Sequence, residues 1–496
     1  MLSIRPQTHV VLPDPAQGFG VSWVLLGFVL FVALRLALLS PEMLGDPDTF
    51  LHVAIGDWIR THQTVPLTDP FAYPMAGQAW VAHEWLAGLL MSYAYGFAGW
   101  YGVCVLAVWS LGLTLVVLAR FLLRRLPPIY ALLLVVMAFA GMESHLLARP
   151  HVLAWPLMAL WVSQLMARSE AGRLPPFWLL PLMVLWANLH GSFTLGLAFV
   201  IPMGLEACIN QRSTWRQLAI GWSLFLALAI ACSLITPFGW HGLAFTNRLV
   251  SIDALATITE WQPLTITGHP LVLMWIGLLL ILGLRRWLSL PWIRLILLLG
   301  LAWQMMLHAR FYSVFAMLAP LIVATPLASS MKAWPIAQSA ATRGDAFLEK
   351  CSVPSRPWAV LVGLSLLALL IVLLDQPKLQ PGPKHAPRAA VEFITARFGQ
   401  QHGLNFYNYG GYLIWFGIPV FMDGRIDLRG DAGMKAYDAA LTKPESIGLD
   451  RLIDQYDIQW TLFPKDGIGI LHMDRQPGWY RAYEDDQSVV HARVHK

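Results

Sequence analysis

Two carboxylates two residues apart, at the mouth of a hydrophobic span, are the chain's clearest candidates for chemistry. The stretch reads Gly45-Asp46-Pro47-Asp48-Thr49-Phe50-Leu51-His52. Around it, residues 42–84 carry Glu42, Asp46, Asp48, Asp57, Asp69 and Glu84 against a single base, Arg60. Residues 1–375 hold only fifteen acids, and six of them crowd these 43 positions. Acids beside a bilayer are costly and tend to mark function. Pro47 favours an extended or turn geometry here over a helix, and from it both carboxylates can reach one cation or one reacting hydroxyl. Nearby hydrocarbon disfavours the charged form and raises the pKa, which suits a general base. A divalent cation, Mg or Mn, is the other partner that Asp46 and Asp48 could hold. The plainer reading is a solvated loop in which Asp48 or Thr49 caps a helix from Thr49 to Arg60.

Other polar groups interrupt the hydrophobic runs. Pro66-Leu67-Thr68-Asp69-Pro70-Phe71 is a rigid, Pro-bounded turn, and Trp80-Val81-Ala82-His83-Glu84-Trp85 opens a run that stays uncharged from 85 to 119. Later come Leu147-Ala148-Arg149-Pro150-His151, Trp186-Ala187-Asn188-Leu189-His190, Thr236 to His241, Glu260-Trp261-Gln262-Pro263, and His308, Arg310 and Tyr312. Asn and His at membrane depth need a partner or a wet cavity. Arg149 or Arg310 could grip a phosphate with two parallel hydrogen bonds. The substrate-contacting candidates are His52, Asp69, His83, Glu84, His151, Asn188, His190, His241, Glu260 and Tyr312. Each alone is equally well explained by packing or by an interfacial position. Their joint placement on one side of the membrane is what favours a site. The histidines show no metal-ligand spacing.

These residues need elements to position them. A mean hydropathy of +0.57, with 57% hydrophobic and 13% charged residues, excludes an ordinary soluble domain. Twenty-three Trp fit aromatic belts at two membrane interfaces. The first apolar run lacks a cleavage site, follows Pro13 and Pro15, and reads as an anchor rather than a signal peptide. Cys104, Cys208, Cys232 and Cys351 are too scattered for a disulfide framework or a zinc motif. The net charge of +5 reflects loop bias, and no basic cluster with interleaved aromatics suggests nucleic acid.

Apolar segments fall near 20–40, 83–98, 100–120, 127–145, 151–167, 177–190, 193–209, 218–235, 271–284, 291–308, 311–328 and 357–374. The expected fold class is therefore an α-helical polytopic membrane protein of about 11–13 transmembrane helices, followed by a small C-terminal α/β domain. The boundaries expected are 1–375 for the membrane domain, with a first outer loop at 41–82, and 376–496 for the soluble one. The basic loops Arg124-Arg125, Arg168 to Arg173, Arg212 to Arg216, Arg285-Arg286 and 329–356 read as cytoplasmic. The loops at 41–82 and 237–270 and the tail then face outward, on a bacterial inner membrane with a periplasmic tail. An even number of spans conflicts with this, so either 83–98 is short or re-entrant, or Arg124-Arg125 lies outside.

In the tail, Ala389 to Phe398 and Leu449 to Tyr456 read as helices. Leu404 to Tyr407, Tyr412 to Trp415, Val420 to Asp423 and Gln459 to Phe463 read as strands, with a closing hairpin of Trp479 to Tyr483 and Val489 to Val494. Gly410-Gly411 reads as a tight turn. On a continued strand Asp423, Arg425 and Asp427 share one face, in a structural or acceptor-gripping role.

This layout resembles the glycosyltransferase C superfamily, integral membrane enzymes that take a sugar from a polyprenyl-phosphate or -diphosphate donor. The resemblance rests on a first span followed by an acidic outer loop with an Asp-x-Asp-like motif, then many spans and a C-terminal domain. Asp69-Pro70-Phe71, His83-Glu84-Trp85-Leu86, Asn188-Leu189-His190-Gly191, Gly410-Gly411-Tyr412-Leu413 and Asp423-Gly424-Arg425 look like a bacterial branch of that group. It implies a first-loop Asp, here Asp46 or Asp48, as general base or metal ligand. It also implies a lipid-linked sugar donor whose phosphate Arg149 or Arg310 holds, and a glycan, lipid or protein acceptor. Two other classes remain open on the sequence: a transporter or flippase of a lipid-linked substrate, and a non-catalytic scaffold for envelope assembly.

Overall fold

The computed structural model describes residues 21–39, 41–250, 259–265, 270–284, 288–331, 343–373, 379–382, 384–442 and 447–494. The stretch with Pro13 and Pro15, Arg285-Arg286, and parts of the 237–270 loop, the 329–356 loop and the linker before Pro387 lie outside the described residues.

The expected apolar segments are helices. They are α1 (Trp23–Ala37), α3 (Trp85–Leu123), α4 (Pro128–Glu143), α5 (Pro150–Glu170), α6 (Leu179–Leu189), α7 (Phe193–Asn210) and α8 (Trp215–Ser233), then α10 (Pro270–Leu284), α11 (Trp292–Leu307), α12 (Phe311–Met331) and α14 (Pro357–Leu373). Among the described residues, α3, α7, α8 and α12 are each long and apolar enough to cross a bilayer unaided. The others are shorter or carry more polar residues. Large apolar side chains such as Ile220, Leu280, Leu361 and Leu366 lie on the outside of this bundle, where only lipid would cover them. The protein is a helical polytopic membrane protein with a small C-terminal α/β region.

Helix α3 joins two of the expected segments but is broken at Ala98 and Gly99, which leave helical geometry. The break is sharp: Gly102 lies against the Ala94 carbonyl, whereas eight residues of straight helix rise about 12 Å. The first leg, to Phe97, rises only about 20 Å, short of a hydrocarbon core of about 30 Å. It packs instead along the amphipathic helix α2 (Pro47–His62), backbone against backbone through Gly56 and Gly88. A first leg this short matches one of the two alternatives for the span count, that 83–98 is short or re-entrant. Arg125, just past α3, pairs at 2.6 Å with Glu170, so Arg124-Arg125 share an end of the bundle with the basic loop at 168–173.

At that end Arg294 of α11 is buried between Glu170 and Glu206, both at 2.8 Å, and Thr325 donates to Glu170 at 2.6 Å. These bonds tie α5, α7, α11 and α12 together and satisfy charges that hydrocarbon would otherwise penalise. Arg149, at the opposite end of α5, is about 30 Å away.

The tail contains a four-stranded sheet, order β1-β2-β4-β3, built from β1 (Gly403–Asn405), β2 (Trp460–Pro464), β3 (Trp479–Glu484) and β4 (Ser488–Arg493). β1 and β2 are parallel and the other pairings antiparallel. The expected helices form as α15 (Arg388–Arg397) and α18 (Ile447–Gln455).

Two expected strands do not form. Tyr412 to Trp415 lies in a short helix, α16 (Gly410–Trp415). Its aromatic, β-branched composition suits a strand, but packing on α2 overrides that: Tyr412 sits edge-on to Phe50, with centroids 5.1 Å apart. Gly410 and Gly411 are not a hairpin turn. They open this helix and let it approach the Pro47 and Met422 carbonyls. Val420 to Asp423 makes only a single bridge, Val420 to Ala72. The Asn405 side chain takes the Phe421 and Met422 amides (2.9 and 3.3 Å), so a side chain replaces the ladder. From Ile426 the chain is helical, α17 (Ile426–Thr442), so Asp423, Arg425 and Asp427 do not alternate along a strand.

Candidate functional site

Helix α2 begins two residues earlier than the sequence suggests, at Pro47. Asp46 is its N-cap in extended geometry, and its carboxylate accepts from the Asp48 amide at 2.8 Å. Proline suits the first helical position, since its missing N–H would have no partner there. Asp48 therefore sits in the first turn with His52 one turn further along. Thr49 donates to the Ala148 carbonyl at 3.1 Å and the Ala148 amide to Met43 at 2.9 Å. These bonds bring the Leu147 to Pro150 segment beside the acids.

Arg149 then meets three carboxylates. Its guanidinium lies 3.0 Å from Asp46, 2.8 Å from Asp48 and 2.6 Å from Glu260. Glu260 reaches it because residues 260–264 run beside 306–310, joined by Arg310 N–H to Glu260 (3.1 Å) and Ala309 N–H to Gln262 (3.0 Å). Burial pushes the Asp46 carboxyl up to about 6 against the pull of Arg149, and it raises Asp48 likewise. Burial also acts on Glu260, but Arg149 and Arg310 outweigh it and leave that carboxyl below its usual range.

These groups line a cavity of about 250 Å³ whose floor is α2 and whose far wall comes from the tail. Arg310 also lines it. Its guanidinium stacks 4.5 Å over the Trp261 ring and has no ion-pair partner among the described residues. On another side Glu84 receives three imidazoles, His52 at 3.2 Å, His190 at 3.4 Å and His83 at 3.5 Å. Burial pulls His52 down to about 4, so it is neutral at pH 7. Burial opposes the charge on His83 too, but Glu84 prevails and raises it.

The tail closes the cavity with Tyr407, Asn408 and Gly424 to Asp427. Arg425 is buried and doubly paired, at 2.6 Å to both Asp69 and Asp423, and it stacks 4.6 Å over Trp80. Asp69 also accepts the Phe71 and Ala72 amides, at 3.0 and 3.1 Å. Asp69 thus joins the first loop to the tail and does not itself line the cavity.

Asp46, Asp48, His52, His83, Glu84, Arg149, Glu260 and Arg310 come together as one lining, with His190 behind Glu84. His151 lies next to His190, ring centroids 6.3 Å apart. Asn188 is a support, accepting from the Trp85 indole at 2.7 Å. Tyr312 is buried in α12 near His145 (ring centroids 6.1 Å apart), and His241 is exposed on α9 (Trp240–Val250). Neither lines the cavity. Tyr407, Phe245 and Asp427 do; of these the sequence singled out only Asp427, in a structural or acceptor-gripping role on a strand that does not form.

Among the described residues no group of three or more His, Cys, Asp or Glu is arranged to hold a metal ion. The Arg149 guanidinium occupies the position between Asp46 and Asp48 that a cation would take. This donor set does not fit Mg or Mn, and no step below runs through a metal.

No protein-family model matches the sequence, and no curated protein does. Among solved structures, ArnT from Cupriavidus metallidurans, bound to undecaprenyl phosphate, superimposes with a TM-score of 0.50 at 14% identity. The match covers 95% of this chain and 97% of ArnT. The chain shares the fold of ArnT. The likeness runs through both the helical bundle and the C-terminal region, as the resemblance in layout implies.

Proposed function

We propose that the protein is a membrane glycosyltransferase that moves a sugar from a polyprenyl-phosphate donor to an envelope acceptor on the outer side of the bacterial inner membrane. The observation that carries this reading is one cavity shared by these groups. It joins carboxylates of raised pKa to a guanidinium, Arg310, that has no ion-pair partner among the described residues. The undecaprenyl phosphate in ArnT supports a polyprenyl lipid as the donor's carrier.

In this reading the donor phosphate docks on Arg310, since Arg149 is already satisfied by three acids. Asp48 takes the proton of the acceptor hydroxyl as its oxygen attacks the anomeric carbon. The bond from that carbon to the phosphate oxygen breaks, and the electron pair leaves with the phosphate. Arg310 meets the charge that develops there. Arg149 holds Asp46, Asp48 and Glu260 in place and keeps their summed charge tolerable. A single displacement inverts the anomeric centre.

The test is binding of undecaprenyl phosphate by the purified protein, followed by transfer of labelled sugar from polyprenyl-phosphate donors. Saturable binding with transfer supports the reading. A folded protein that neither binds nor transfers points instead to the scaffold or transporter classes.

A further inference from the structure

Five carboxylates line the cavity: Asp46, Asp48, Glu84, Glu260 and Asp427. Four of them have a guanidinium or imidazole within ion-pair distance. Asp427, in the first turn of α17, has no such partner among the described residues. It is half-buried, accepts from its own backbone amide, and feels His83 and Arg425 without an ion pair to either, so its remaining acceptor sites are open to a ligand. Tyr407 and Trp261, the latter with Arg310 on one face, share the wall. A carboxylate that accepts from hydroxyls, beside flat aromatic rings that cover C–H faces, is the chemistry that recognises a saccharide.

We propose that Asp427 binds the acceptor, accepting hydrogen bonds from the hydroxyls of a non-anionic saccharide, so that the C-terminal region selects what receives the sugar. The inference rests on the glycosyltransferase reading above. Asp427 takes no proton in the transfer; it holds the acceptor so that the attacking oxygen faces Asp48. An acceptor bearing a uronate or a phosphate is repelled by the same carboxylate. Asp423 and Arg425 do not share the role, because they saturate each other and Asp69.

The experiment titrates the saccharide fraction of the host envelope as acceptor, with labelled sugar on a polyprenyl-phosphate donor. Full-length wild type, Asp427→Asn and Asp427→Glu are compared, and undecaprenyl phosphate binding is measured in parallel. Losing a hydrogen bond to a charged group raises the half-saturating acceptor level roughly tenfold or more in Asp427→Asn. The maximal rate and the undecaprenyl phosphate affinity stay near wild type, and Asp427→Glu recovers part of the loss. An unchanged half-saturation overturns the assignment. So does a parallel loss of undecaprenyl phosphate affinity, which marks a distorted donor side. A wild type that transfers nothing overturns the transferase reading itself, and this assignment with it.

Discussion

The backbone of Gly424 in the C-terminal region lies against the Asp48 carboxylate, so closely that no Cβ fits between them. A residue 376 positions further along the chain therefore walls the candidate base. Gly424→Ala forces either the Asp48 carboxylate or that wall to shift, and overpacking of this kind costs about 1–3 kcal/mol where the carboxylate is held by Arg149. Thermal unfolding in detergent should show the loss, and sugar transfer should fall with it. Gly300→Ala is the control, since a Cβ there meets nothing; it should leave transfer unchanged and stability equal or slightly higher, because alanine suits a helix interior better than glycine.

Arg149 predicts a larger effect on folding. Arg149→Met leaves Asp46, Asp48 and Glu260 without their shared cation, and breaking a buried pair from one side costs about 3–5 kcal/mol. The melting temperature should drop sharply. Arg149→Lys keeps the charge but loses the planar fork that meets separate carboxylates, so it should fall between the two. Equal stability of Arg149→Met and wild type would show that the three acids do not depend on it.

Arg310 predicts the reverse pattern. Its guanidinium stacks on Trp261 and pairs with no acid among the described residues, so Arg310→Ala should leave thermal stability nearly intact. Undecaprenyl phosphate affinity should fall roughly tenfold, as expected when a charge-assisted hydrogen bond is lost. Titration of the lipid against both proteins checks it.

The pH dependence follows from Asp46, whose carboxyl moves from 3.8 to about 6 on folding. The native state holds that proton more tightly than the unfolded chain. The contribution is therefore fully present below about pH 4 and is lost as pH rises through about 6. Wild type should lose stability relative to Asp46→Asn over that window, since asparagine does not titrate. Transfer runs oppositely: it needs ionised Asp48, also raised by burial, and should rise with pH along its acid limb. A stability difference flat from pH 4 to 8 would contradict the assignment.

Much of this was legible from the residues. Uninterrupted apolar runs of membrane length admit little but helices, and acids concentrated beside one span mark the site because hydrocarbon tolerates them poorly. Sequence could not say that Arg149 would be taken by three carboxylates while Arg310 stayed unpaired. That depends on the bonds from Thr49 to Ala148 and from Glu260 to Arg310, each between segments distant in the chain. Tyr412 to Trp415 misled because strand composition and a buried helical face look alike over four residues. Asp69 read as a substrate contact and is a tether instead, because its partner Arg425 lies 356 residues away in the chain.

The central claim is that Asp48 is the base of a sugar transfer. The most direct measurement is single-turnover transfer of labelled sugar from a polyprenyl-phosphate donor by wild type and Asp48→Asn, with equal undecaprenyl phosphate binding established first. The account predicts that Asp48→Asn binds the lipid as wild type does and transfers at least about a hundredfold more slowly, in line with loss of a general base. Undiminished transfer by Asp48→Asn would contradict it.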